Sequence, residues 1–338
     1  MPSFRFAFAV VALLGLILLS SAIGLAQPPA KDDSREVKNA HEALVYSLAL
    51  SPDGKTLASA GFDNLIKLWD YDSSKMEIKE RAKLTGHTGA VYCVSYSKDG
   101  QLLASSSLDK TIRLWNAADG KFLRELKGHT DIVDFVAFSP DGKTLASASA
   151  DKSVRLWNPA DGKELKNLGS HAKSVYAVAF SPDGKTLASA GADPIIKIHD
   201  VASAKEVKQL KGHTEPVTGI AFTPDGQSLV SISQDRTVRV WNLADGKEIR
   251  KSEPTDDDLY GIAYSPDGKQ LATSGYAGWL HVWGADPVKP ILSRKLRSFG
   301  AYCVCFSPDG KALITGHDNR SILVTPLSSL TPPMPAKK

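Results

Sequence analysis

One phrase of roughly forty residues returns seven times, and a chain built this way has few architectures open to it. The clearest copy runs Gly128-His129-Thr130, Ser139-Pro140-Asp141-Gly142, Leu145-Ala146-Ser147, Asp151 and Leu156-Trp157-Asn158. The glycine closing its first turn stands at 54, 100, 142, 184, 226, 268 and 310, so the first step is 46 residues and every later one 42. Such a period marks supersecondary units that cannot cover their own apolar faces and must stack on neighbours.

Each unit reads as four short strands, a to d. In the second they are Val91 to Ser97, Leu102 to Ser106, Thr111 to Trp115 and Phe122 to Leu126, with a tight turn at Asp109-Lys110. An Asp-Gly pair joins strands a and b in all seven units, and a second series, at Asp119-Gly120, Asp161-Gly162 and Asp245-Gly246, joins c to d. Between β-rich runs this dipeptide is a strong hairpin signal, because glycine takes the positive φ at little cost.

The Gly-His opening, the Trp-Asn or Trp-Asp close and the 42-residue period resemble the WD40 repeat family, and the resemblance covers residues 33 to 326. It implies an all-β fold: a single seven-bladed β-propeller of four-stranded antiparallel blades. The seventh unit has strands a to c, Tyr302 to Val324, and then ends in Thr325-Pro326 and a Pro-rich stretch. Arg35 to Ala40 lies just before the first histidine, where every other unit has strand d. The N-terminal strand is therefore expected to complete blade 7, closing the ring and removing an edge that would template aggregation. The expected layout is a signal peptide over 1–26, a linker over 27–34, the propeller over 35–326 and a Pro-rich tail over 327–338.

The leader reading rests on Arg5, an apolar run from Phe6 to Leu19 and the small-residue site Gly24-Leu25-Ala26 before Gln27. It predicts an exported protein, periplasmic or extracellular, with membrane attachment only if the leader is kept. The net charge of +4 is too mild, and too evenly mixed, for a nucleic-acid footprint. Of the three cysteines, Cys303 and Cys305 are too close on one strand for an ordinary disulfide, and Cys93 occupies the position of Cys303 in another blade. They read as buried thiols.

Ser, His and Asp in one unit suggest a nucleophilic triad. The register argues against it, because the set recurs blade after blade. His41, His87, His129, His171 and His213 each stand 28 residues before Trp69, Trp115, Trp157, His199 and Trp241; a serine stands ten before, and an aspartate six before, the same endpoints. A Trp N–H needs an acceptor, a Ser hydroxyl can accept it and donate to His, and His can donate to Asp. In the family this tetrad is structural. The matching sets are His41, Ser59, Asp63, Trp69; His87, Ser105, Asp109, Trp115; His129, Ser147, Asp151, Trp157; and His213, Ser231, Asp235, Trp241. Blade 4 departs by His199. Blade 6 has Thr255, Thr273 and Ala277 with Trp283, and blade 7 has Arg297, Thr315, Asn319 and Thr325.

The resemblance implies that partners dock on the face shared by the d–a and b–c loops. Five residues after each histidine slot, at the start of strand a, stand Tyr46, Tyr92, Asp134, Tyr176, Thr218, Tyr260 and Tyr302; five are tyrosines, of nine in the chain. Tyrosine is an amphipathic anchor enriched at binding hot spots. Phe62, Leu108 and Tyr276, each just before the aspartate slot, would add apolar area and make an exposed aromatic rim. Asp256-Asp257-Asp258 and the basic group Arg294, Lys295 and Arg297 are expected to pair across adjacent loops.

No phosphate loop, zinc motif, calcium loop, nucleophile elbow or dinucleotide fingerprint is present, so neither cofactor nor metal is expected. The reading is a monomeric, noncatalytic protein-interaction scaffold. The alternative is a periplasmic propeller enzyme, or an accessory resembling the translocation protein TolB, with a small ligand in the channel. That alternative needs convergent titratable groups at the mouth, where Asp134 is the sole acid of the ring.

Overall fold

The fold follows from a computed structural model that describes residues 33–284, 289–296 and 299–332. The expected leader, Arg297 and the last six residues lie outside them. Seven four-stranded antiparallel sheets follow one another, each in the order a-b-c-d from the axis outwards. In blade 2 the strands are Val91–Tyr96, Leu102–Ser107, Ile112–Asn116 and Phe122–Leu126, close to the sequence reading. Blade 7 consists of Ala301–Phe306, Ala312–His317 and Ile322–Pro326, and its outer strand is Arg35–Val37. Arg35 pairs with Val324, Glu36 with Leu323 and Val37 with Ile322. The closing strand is three residues long rather than the six expected, because the chain turns at Lys38–Asn39, where Asn39 takes φ of 52°.

The core is a series of seams between blades. Between blades 1 and 2, Ala58, Ala60, Ile66 and Leu68 pack on Val91, Val94, Leu103 and Trp115. The seam between blade 7 and blade 1 has the same form, with Ile314, Ile322 and Val324 against Val45, Leu57 and Trp69. Because both faces of each middle strand lie in a seam, Thr56–Gly61, Thr-Leu-Ala-Ser-Ala-Gly, is buried at all six positions. Large side chains would hold the sheets apart there, which explains the small residues of the repeated phrase. Each fully buried Leu, Ile or Val stabilises the ring by about 1.5–3 kcal/mol relative to exposure.

The Ser-Pro-Asp-Gly turns are self-contained. Ser139 Oγ donates to Asp141 Oδ1 at 2.6 Å, the Lys143 N–H donates to the same oxygen at 3.0 Å, and the Thr144 N–H donates to Ser139 Oγ at 2.9 Å. Gly142 sits at φ of 71°, a conformation glycine takes without strain. Past Pro326 the chain stays on the domain. Leu327–Ser329 forms a short 3-10 turn, Leu330 is buried, and the Ser293 N–H of blade 6's outer strand donates to the Thr331 carbonyl at 2.8 Å. Among the described residues, no helix is long and apolar enough to cross a membrane.

Candidate functional site

In blade 3 the Trp157 Nε1–H donates to Ser147 Oγ at 2.8 Å, and Ser147 Oγ lies 2.7 Å from His129 Nε2. His129 Nδ1 lies 2.8 Å from Asp151 Oδ2. The chain of acceptors fixes the tautomer: Asp151 can only accept, so Nδ1 carries the proton and Nε2 accepts from the serine. The other three matching blades repeat this within 0.2 Å at each link, from His41 to Asp63, His87 to Asp109 and His213 to Asp235. Burial alone would raise the Asp109, Asp151 and Asp235 carboxyls, but hydrogen bonds from histidine and from Thr111, Ser153 or Thr237 outweigh it and hold all three well below the usual carboxylate range. Burial in turn holds His129 and His213 below the ordinary imidazole value.

A fifth member escaped the sequence reading. Two residues before the Trp slot stand Lys67, Arg113, Arg155, Lys197 and Arg239, each paired with a glutamate of strand d. In blade 5, buried Arg239 also reaches Asp235 at 3.3 Å, extending the network to the outer strand. The fixed offset of a basic residue in five consecutive units was the available signal.

The irregular blades fill the same place by other means. Thr273 Oγ1 still accepts from Trp283 at 3.0 Å. In the absence of His and Asp, the buried Asp257 carboxylate accepts the Ala277 and Trp279 N–H groups at 2.7 and 3.1 Å, tying the d–a loop to the b–c turn from the opposite side. In blade 7, His317 on strand b bonds Thr315 Oγ1 through Nε2 at 2.7 Å and donates from Nδ1 to the Gly300 carbonyl at 3.0 Å. In blade 4, His199 Nε2 lies 3.4 Å from Ser189 Oγ and its buried Nδ1 has no partner. The expected pairing of Asp256–Asp258 with Arg294 and Lys295 gives way to other partners among the described residues. Asp258 pairs with Arg236 of blade 5 at 3.0 Å, Asp257 is taken up as above, and Arg294 donates to Ser329 Oγ at 2.9 Å. Arg297 lies outside the described residues.

The seven strands a converge at the axis, and the residues at their starts line a cavity of about 450 Å3. All of Tyr46, Tyr92, Asp134, Tyr176, Thr218, Tyr260 and Tyr302 belong to its lining. Each is half-buried, so the ring is the wall of a mouth rather than the exposed rim expected, because neighbouring rings cover one another. Tyr46 stacks on Phe62 at 5.2 Å between centroids and lies 5.2 Å from Tyr92 and 5.7 Å from Tyr302. Tyr302 continues to Tyr260 at 5.5 Å and Tyr276 at 6.2 Å. An aromatic arc thus runs from blade 6 through 7 and 1 to blade 2. Phe62 and Tyr276 join it from outside the cavity, whereas Leu108 stands apart on its turn; Tyr276 and Leu108 are 58% and 44% exposed.

The rest of the mouth is polar. Thr218 Oγ1 donates to the Leu259 carbonyl at 2.6 Å, and Gln234 Nε2 donates to Tyr260 Oη at 3.0 Å. Gln234, missed in the sequence, holds in blade 5 the position of Phe62, Leu108 and Tyr276. Burial, with Asp131 adding like charge, pushes the Asp134 carboxyl up to about 7, and its Oδ2 is buried without a partner. The lining holds this one carboxylate and no imidazole. Burial also raises the ring phenols, Tyr302 up to about 12, so they stay neutral. Cys93, Cys303 and Cys305 are unpaired, and burial pushes Cys93 up to about 11 and Cys305 up to about 12, leaving protonated thiols. Among the described residues, no group of three or more His, Cys, Asp or Glu could hold a metal ion.

The family model of the WD domain, G-beta repeat matches residues 34–70, 78–116, 120–158, 162–200, 204–242, 246–284 and 293–324. The chain belongs to the WD40 repeat family. WD40 propellers bind protein partners and are generally noncatalytic scaffolds. Two curated relatives, from two strains of Cryptococcus neoformans var. neoformans serotype D, carry the name probable cytosolic iron-sulfur protein assembly protein 1. Each is 39% identical over 67 residues, 18% of this chain, and the chain covers 14% of each relative's length. A match this local extends over less than two WD40 repeats.

Proposed function

We propose that this WD40 propeller is a noncatalytic adaptor that takes a protein partner at the channel mouth, on the face of the d–a and b–c loops. The observation that carries the reading is the concave aromatic lining itself: five half-buried tyrosines around a cavity of about 450 Å3, flanked by exposed Tyr276 and Leu108. Rigid aromatic groups in a preformed hollow offer large contact area with little entropy left to lose. The seams that hold the ring do not depend on what these loops display, so specificity can reside in the mouth while the fold stays fixed. The name of the fungal relatives, an assembly protein, is in keeping with an adaptor. The N-terminal Arg5, apolar run and small-residue site support export of the chain, with cleavage near Ala26-Gln27.

The test is crosslinking and capture from the cell of origin with the wild type and the Tyr92→Ala, Tyr176→Ala and Tyr260→Ala variants, each checked for folding by circular dichroism. Loss of the same captured protein in all three is expected. Undiminished capture by folded variants rejects the mouth as the docking surface. Mass analysis of the recovered chain tests the leader: an N-terminus at Met1 would refute cleavage.

A further inference from the structure

We propose that the channel mouth takes a cationic side chain, a lysine ammonium or an arginine guanidinium carried by a protein partner, seated among the tyrosine rings against the Asp134 carboxylate. This names the chemistry recognised at the surface proposed above and rests on that reading.

Asp134 Oδ2 is buried and accepts no hydrogen bond among the described residues, although buried carboxylates are normally paired. None of the ion pairs among the described residues includes it, and the charged neighbour that acts on it, Asp131, has its own sign. The Ala150 backbone N–H is the one donor that acts on the Asp134 carboxylate, and no cation does. Asp134 is the one acid in the lining of the hollow.

The remaining walls suit a cation and nothing of opposite sign. Tyr46, Tyr92 and Tyr176 stand near enough to feel the Asp134 charge, and Tyr260 and Tyr302 complete the ring. An aromatic face attracts an ammonium or guanidinium within about 6 Å of its centroid, more strongly where water is excluded. The thiols of Cys93 and Cys303 at the cavity wall are neutral and add no competing charge. A free small cation would leave the exposed Tyr276 and Leu108 uncovered, whereas a polypeptide carrying the cation covers both.

A bound cation supplies the counter-charge that Asp134 lacks, so binding ionises the carboxylate and releases a proton. The groups acting on it are Asp131 from the d–a loop, of like charge, and the Ala150 backbone N–H, with the phenols of Tyr46, Tyr92 and Tyr176 nearby. Affinity should therefore rise with pH up to about 7, the value to which burial pushes Asp134, and level off above it.

The experiment is ligand-observed NMR titration of the purified full chain with n-butylguanidinium and n-butylammonium, and with n-butanol as the neutral counterpart. The expected result is binding of at least one cation tenfold or more tighter than butanol, weakening toward pH 5.5. Asp134→Asn should lose about tenfold for that cation and flatten the pH profile, while Tyr92→Leu should lose severalfold with the profile retained. Asp134→Asn removes an unpaired buried charge and so preserves the fold, which its circular dichroism verifies. Cations that bind no better than butanol, or an Asp134→Asn protein that binds them as well as the wild type, overturn the proposal. If the probes fail while the alanine variants still lose their partner, this inference falls and the adaptor reading stands; alanine variants that capture normally refute that reading itself.

Discussion

The Asp257 carboxylate packs against the Cα of Gly275, in the space where a regular blade brings its histidine and aspartate together. At the equivalent position of blade 1, Gly61 lies against both His41 and Asp63. In blade 6 a side chain on residue 275 would meet the Asp257 carboxylate and lie 2.8 Å from the Asp258 carbonyl, which cannot move without unmaking the loop. Gly275→Ala is therefore expected to destabilise the protein by about 1–3 kcal/mol. Urea unfolding measures it, and an unchanged midpoint would show that the loop yields freely.

Acid should weaken the ring before it reaches the carboxylate range. Burial lowers His199, His281 and His317 to about 4, and holds His129, His171 and His213 below the ordinary 6.5. A base whose folded value is depressed takes up a proton on unfolding, so its contribution is full above pH 6.5 and is lost as pH falls toward 4. Each of the three lowest contributes on the order of 2 kcal/mol to the loss at pH 4.5. His199→Phe should reduce the proton uptake on unfolding by about one, read from the slope of unfolding free energy against pH.

Asp134 acts in the opposite sense. Its folded value is raised, so it favours the folded state below pH 3.8 and loses that contribution as pH rises through about 7. Asp134→Asn is expected to raise stability at pH 8 by on the order of 2 kcal/mol and to change little at pH 4. Equal stability of the two proteins at both pH values would mean that the carboxylate is satisfied by solvent.

The repeated phrase revealed the regular parts because they recur at fixed offsets: the Asp-Gly turns, the four complete tetrads, the tyrosines at strand starts. Blade closure was legible from a missing strand at one end and a surplus strand at the other. What stayed hidden has no fixed offset. Asp257 comes two residues after the vacant histidine slot and His317 two after the serine slot, so neither aligns with what it replaces. His317 did leave a trace, since the other six blades carry Gly or Ser at that position. Asp258 turned to Arg236 rather than to Arg294 because which of two flanking loops lies nearer is settled by backbone shape. The Pro-rich composition after Pro326 concealed Leu330, one apolar residue with a buried place to go.

Disrupting the closing strand should expose an edge. Val37 packs beside Ile322 in the seam between blades 7 and 1. Val37→Asp places a charge there and unseats the short strand, with an expected loss of about 1–3 kcal/mol. The freed backbone groups of Ile322–Pro326 then present a template for other chains. Light scattering that rises with protein concentration in the variant, and not in the wild type, is the expected signature.

Because Arg35–Val37 pairs with Ile322–Pro326, the earliest strand among the described residues is matched to the latest. At about 5–20 residues per second the interval between them is roughly 15–60 s. Throughout it the growing solenoid of blades remains unlocked, with Val37 and the face of blade 1 lacking the surface they are shaped for. Only the arrival of Ile322–Pro326 converts a row of sheets into a circle.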